Sequence, residues 1–118
     1  MIQYERYSVK HIFDIMDSKQ RMYYQGRSVG LNSARLVLFR TKGCTCVRCG
    51  VEGNVFILET HRKEVGPHLN LYAELPDGKL ILITKDHIVP RSRGGANSLA
   101  NYQTMCTKCN IKKGSSLE

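Results

Sequence analysis

Two Cys-x-x-Cys pairs, Cys46/Cys49 and Cys106/Cys109, limit what this chain can fold into more than any other feature. Each pair sets two thiols on one tight turn, and four thiolates are the ligand set of a closed tetrahedral zinc site. Residues 50–105 separate the pairs, a far longer gap than in a simple zinc ribbon. Spacing alone therefore leaves open whether the pairs share one ion or are two unrelated buried pairs. A chain of 118 residues is expected to form one domain with a thin core. Structural zinc contributes on the order of 10 kcal/mol to folding and can act as the missing staple. Four protein ligands leave no open position, so the expected zinc is structural. Cys44 is less well spaced than Cys46 and Cys49 and reads as a buried apolar residue or a spectator thiol.

Met1 is followed by Ile2-Gln3-Tyr4-Glu5-Arg6, which lacks the apolar stretch of a secretory leader. No apolar run approaches the roughly 18 residues of a membrane span. A cytoplasmic location is therefore expected, and in a reducing compartment paired thiols read as metal ligands rather than disulfides. The formal net charge is +8. Such an excess favours polyanionic partners, because basic side chains release counterions from phosphates. The cations are spread along the chain: Arg21, Arg27, Arg35, Arg40, Lys42 and Arg48 early, then Lys85, Arg91, Arg93, Lys108, Lys112 and Lys113. That distribution predicts a basic face rather than a basic tail.

Residues 8–25 read as a helix, with Ser8 as cap and Val9, Ile12, Phe13 and Met16 at helical spacing. Asn32 or Ser33 can cap a second helix through Lys42, stopped by Gly43, although Leu36-Val37-Leu38-Phe39 equally suits a strand. Val55–Leu58, Leu69–Leu75 and Lys79–Thr84 read as strands, the last two joined by a Pro76-Asp77-Gly78 turn. Residues 88–98, with Pro90, Gly94 and Gly95, read as a loop, and 107–113 as a short helix ended by Gly114. His11, His61 and His68 have no ligand spacing and read as structural.

The stretch from Lys85 to Gly114, KDHIVPRSRGGANSLANYQTMCTKCNIKKG, is distinctive as a whole. Asp86-His87, Pro90, Gly94-Gly95, Asn97-Ser98-Leu99, Asn101, Gln103, the second cysteine pair, Asn110 and Lys113 follow one another in order. This segment resembles the HNH (ββα-metal) endonuclease family, in the branch braced by a four-cysteine zinc. The resemblance covers about a quarter of the chain, and Cys46-x-x-Cys49 extends it upstream. It implies an α+β fold: a small zinc-stapled domain with antiparallel β-hairpins and a ββα-metal motif, preceded by N-terminal helices. The expected division is a helical extension at 1–43, the zinc-braced core at 44–114 and a tail at 115–118, where Leu117-Glu118 also reads as a cloning remnant.

The resemblance further implies metal-dependent hydrolysis of DNA phosphodiester bonds, most simply in double-stranded DNA. His87 is then the general base, and Asp86 and Asn110 hold a catalytic divalent cation. Asn101 is the family's middle asparagine, which pins the loop and aims the histidine. Asn110 stands where a histidine is commoner, which favours Mg²⁺ or Mn²⁺ over softer ions. Arg91, Arg93, Lys108, Lys112 and Lys113 are the candidate phosphate contacts. Small free-standing forms of the family are typical of bacteriophages, acting in the host cytosol. Two other readings remain at this point: a zinc-stapled module that binds nucleic acid without cutting it, and an RNA-cleaving toxin of the same family. Monomer and dimer are both open.

Overall fold

The computed structural model describes residues 1–116; the reading of Leu117-Glu118 as a cloning remnant lies outside the described residues. Strands β4 (Val55–Thr60), β5 (His68–Glu74), β6 (Leu80–His87) and β7 (Tyr102–Cys106) run in sequence order as an antiparallel meander. Strand β1 (Ile2–Ser8) closes the other side of β4, giving the order β1-β4-β5-β6-β7. The β5–β6 turn is tight because Gly78 takes a left-handed φ of 88° and donates its N–H to the Leu75 carbonyl at 2.8 Å.

One face of the sheet carries the apolar core. Phe56 and Leu58 of β4 pair with Leu71 and Leu69 of β5, and Ile83 of β6 pairs with Cys106 of β7. All six are buried, and helices α1 (Val9–Met16) and α2 (Ala34–Lys42) supply Ile12, Leu36, Leu38 and Phe39 to the same cluster. Phe13 of α1 meets Phe56 edge-on, with ring centroids 5.9 Å apart. Burial of such side chains is the main favourable term in folding. The third helix, α3 (Thr107–Lys113), follows β7 directly and packs on β6 and β7. Among the described residues, no helix is long and apolar enough to cross a membrane.

The N-terminal 43 residues depart from the expected run of helices. The helix foreseen at 8–25 starts as expected, with Ser8 Oγ accepting from the His11 N–H, but ends at Met16. Residues Arg21–Tyr24 (β2) and Arg27–Gly30 (β3) form a hairpin instead, turned by Gln25 and Gly26 at φ 49° and 78°. Tyr23 and Tyr24 favour extended backbone, and the ladder across this turn satisfies the backbone groups that more helix would have paired. At α2 the helix reading prevails over the strand: Ser33 Oγ caps the Leu36 N–H at 3.3 Å, and Gly43 ends the helix at φ 101°. Neither β1 nor β7 was expected. Because β1 pairs with β4, the sheet crosses the anticipated boundary at residue 43.

Candidate functional site

The two cysteine pairs meet. Their four sulfurs all lie within 4.8 Å of one another, and those of Cys49 and Cys106 are 3.7 Å apart. A zinc tetrahedron with bonds of about 2.3 Å has sulfur–sulfur edges of roughly 3.8 Å, so the cluster fits one ion. The alternative of two unrelated pairs is thereby excluded. The first pair sits in a knuckle closed by the Cys46 N–H on the Val51 carbonyl and the Gly53 N–H on the Cys44 carbonyl, both 2.9 Å. The Val47 N–H then reaches the Thr104 carbonyl at 3.0 Å, fixing the knuckle to β7. The second pair brackets the junction of β7 with α3, since Cys106 ends the strand and N-caps the helix.

The thiols are poised for a cation. Burial pushes Cys46 up, but backbone N–H groups at Cys49, Cys106 and Arg48 outweigh it and hold this thiol down to about 6. Burial and then the crowding of Cys106, Cys49 and Cys46 push Cys109 up to about 12. Four adjacent sulfurs cannot all carry charge without a positive ion between them, whereas with one they can. Cys44 stays outside the cluster. Burial, reinforced by Glu52, raises it to about 11, which suits a spectator thiol.

Beyond the cluster, the end of β6, the loop that follows it and α3 frame a cleft of about 240 Å³ lined by Asp86, His87 and Asn110, among others. Thr84 and Asp86 share one face of β6 because strand side chains alternate, and α3 packs there. Asn110 Nδ2 donates to Thr84 Oγ1 at 2.8 Å, and Thr84 Oγ1 donates in turn to the Met105 carbonyl at 2.7 Å. The Asn110 amide oxygen has no hydrogen bond among the described residues. Asp86, 6% exposed, sits opposite Gln103 in the ladder and accepts from its Nε2 at 2.9 Å. His87 stacks edge-on against Tyr102, centroids 5.0 Å apart, and its Nε2 lies 2.8 Å from Asn97 Oδ1.

The loop between β6 and β7 is held by Asn101. Its Oδ1 accepts from the Val89 N–H at 2.9 Å, and its Nδ2 donates to the carbonyls of Val89 and Ala96 at 3.0 and 2.9 Å. The Ile88 N–H meets the Asn101 carbonyl at 2.8 Å, one residue beyond His87. Lys42, from the end of α2, donates to the carbonyls of Leu99 and Tyr102 at 2.9 and 2.8 Å. The N-terminal segment thus braces the same loop from behind.

Of the expected phosphate contacts, Arg91, Arg93, Lys108 and Lys112 are exposed, and Arg91 lines the cleft. Lys113 is a correction. It is 4% exposed, and its ammonium turns inward onto Asp86 instead of outward to solvent. The helix period places it on the face of α3 that meets β6, three residues beyond Asn110. Thr84 and Lys42 were not foreseen at the site, and Asn97 and Gln103 were named among the features of the resemblance without a role. The contact of Gln103 with Asp86 becomes readable only from the β6–β7 register, and that of Asn97 with His87 only from the folded loop.

Residues 78–118 match the family model of the HNH endonucleases. No curated protein and no solved structure matches the chain. The matched stretch contains β6, the loop, β7 and α3, hence the cleft and the second cysteine pair. It supports a nuclease and implies a nucleic-acid substrate.

Proposed function

We propose that this chain is a metal-dependent endonuclease that hydrolyses phosphodiester bonds in double-stranded DNA. The observation that carries this reading is the convergence of Asp86, His87 and Asn110 on one cleft within the segment that matches the HNH family. A carboxylate and an amide oxygen form a hard donor set. Asp86 and Asn110 would therefore hold Mg²⁺ or Mn²⁺. When bound, such an ion would neutralise charge on the phosphate as phosphorus becomes five-coordinate.

His87 acts as the general base. With Asn97 Oδ1 accepting from Nε2–H, the free lone pair is on Nδ1, which takes the proton of the attacking water. The water oxygen bonds to phosphorus as the P–O3′ bond breaks, and the departing O3′ takes a proton from solvent, leaving a 5′-phosphate and a 3′-hydroxyl. Asn101 keeps the loop, and with it the imidazole, in one orientation. Arg91 steers a phosphate into the cleft, while Arg93, Lys108 and Lys112 hold flanking phosphates.

The test is a supercoiled plasmid incubated with Mg²⁺. Nicked or linear product is expected from the native protein, with none in EDTA and none from His87→Ala, which still binds DNA. Cutting by His87→Ala at the native rate removes the base role. The non-catalytic reading draws on Lys113, which already neutralises Asp86 without any added ion. Intact plasmid together with tight DNA binding would favour it, and cleavage confined to RNA would favour the toxin.

A further inference from the structure

Lys113 is the most deeply buried cation of the cleft. Its Nζ is 3.1 Å from Asp86 Oδ2, 3.3 Å from Asp86 Oδ1 and 2.7 Å from the His87 carbonyl. The two side chains are 1% and 6% exposed. A buried ammonium has to be paired, and here it is paired with the one carboxylate that a catalytic cation would use. Gln103 occupies Oδ2 as well. The charge of Asp86 is thus cancelled from inside the fold. A dication entering the cleft must share the carboxylate with the ammonium or push it aside, and both weaken its binding. A phosphodiester brings the compensating negative charge.

We propose that Lys113 is the resident counter-ion of Asp86, a positioning residue that couples binding of the divalent cation to binding of nucleic acid. Each ligand binds weakly alone and strengthens the other. The inference rests on the reading of Asp86 and Asn110 as cation holders. Linkage makes the effect reciprocal, with couplings of this kind roughly 5–150-fold.

The experiment is Mn²⁺ titration followed by electron paramagnetic resonance on the full zinc-loaded chain. His87→Ala is used as parent so that DNA is not cut. Titrations run with and without a short DNA duplex, and Asp86→Asn under the same conditions identifies the Mn²⁺ bound elsewhere. The parent should gain roughly tenfold or more in Mn²⁺ affinity when the duplex is present. Lys113→Met should bind Mn²⁺ roughly tenfold or more tightly without DNA and lose most of the gain. Lys113→Arg should keep the coupling. A residue that only supports the fold would weaken Mn²⁺ binding when replaced, so the sign is diagnostic. Equal or weaker Mn²⁺ affinity in a folded Lys113→Met overturns the proposal but leaves the Asp86 assignment standing. If Lys113→Met does not fold, the parent decides, and absence of a duplex effect overturns the proposal. If no Asp86-dependent Mn²⁺ appears under any condition, the proposal and the cation reading fail together.

Discussion

Asn101 bears more of the loop than any other side chain, with three hydrogen bonds to the backbone at Val89 and Ala96. Removing them frees the segment that starts at His87, and a misplacement of about 1 Å at a reacting group costs roughly 10²-fold in rate. Asn101→Ala is therefore expected to slow cleavage by about that factor, while fluorescence anisotropy shows duplex binding largely retained. A second single-residue effect lies on the sheet, away from the cleft. Buried Glu59 accepts from Tyr72 at 2.5 Å, Asn70 at 2.6 Å and Gln3 at 3.1 Å. Burial, and then the hydrogen bond to Glu59, push the Tyr72 phenol up to about 12 from its ordinary 10.0. The folded value lies above the unfolded one, so this contribution is fully present below pH 10.0 and is lost as pH rises through about 12. Tyr72→Phe should cost about 1–3 kcal/mol at neutral pH and flatten the alkaline decline in urea denaturation. At this scale each Cys-x-x-Cys was readable as a ligand pair, because two thiolates on one tight turn can reach one ion; that the two pairs share an ion was left open by their spacing and is decided by the fold. The presence of Asp86, His87 and Asn110 near one another was readable too, through the resemblance. Lys113 was not, because a lysine on a short helix near the cleft reads as a phosphate contact until the helix is docked on β6.

Elements were less readable where pairing partners decide structure. The period through Val9, Ile12, Phe13 and Met16 is real, but it carries no information about where the helix stops. Tyr23 and Tyr24 carried a strand preference that the helix reading overrode. Strands β1 and β7 lie at the two edges of the sheet, where half the backbone is unpaired and the hydrophobic pattern is short. Their assignment depends on β4 and β6 being beside them. The loop at 88–98, by contrast, was visible from Pro90, Gly94 and Gly95. Gly95 is needed because the chain folds back on itself: a Cβ there would lie 1.7 Å from the Val89 carbonyl oxygen and 2.6 Å from its carbon. That oxygen also accepts from Asn101 and cannot withdraw without breaking the loop's anchor. Gly95→Ala should destabilise by at least about 1–3 kcal/mol. Faster amide hydrogen exchange confined to residues 88–101 would mark it as a loop effect, and unchanged exchange would refute it.

Over the whole molecule, zinc and basic charge are the two quantities to vary. The thin core and the four-sulfur cluster together predict that a strong chelator unfolds the chain. Loss of the far-ultraviolet circular dichroism signal should track loss of bound zinc, on a scale set by the roughly 10–16 kcal/mol of such sites. A chelated protein that keeps its full melting curve would contradict this. With a net charge of +8, affinity for duplex DNA should fall steeply with salt, log K changing by about −0.9 per phosphate neutralised. A flat salt response would mean that the cations do not meet the backbone. Because Cys106 both ends β7 and occupies the N-cap position of α3, the residue whose sulfur closes the metal cluster is also the one at which the helix carrying Asn110 and Lys113 begins. During synthesis, then, a nascent chain has no complete cleft until α3 has left the ribosome. Closing the four-sulfur cluster and seating the helical wall of the cleft therefore depend on the same residue.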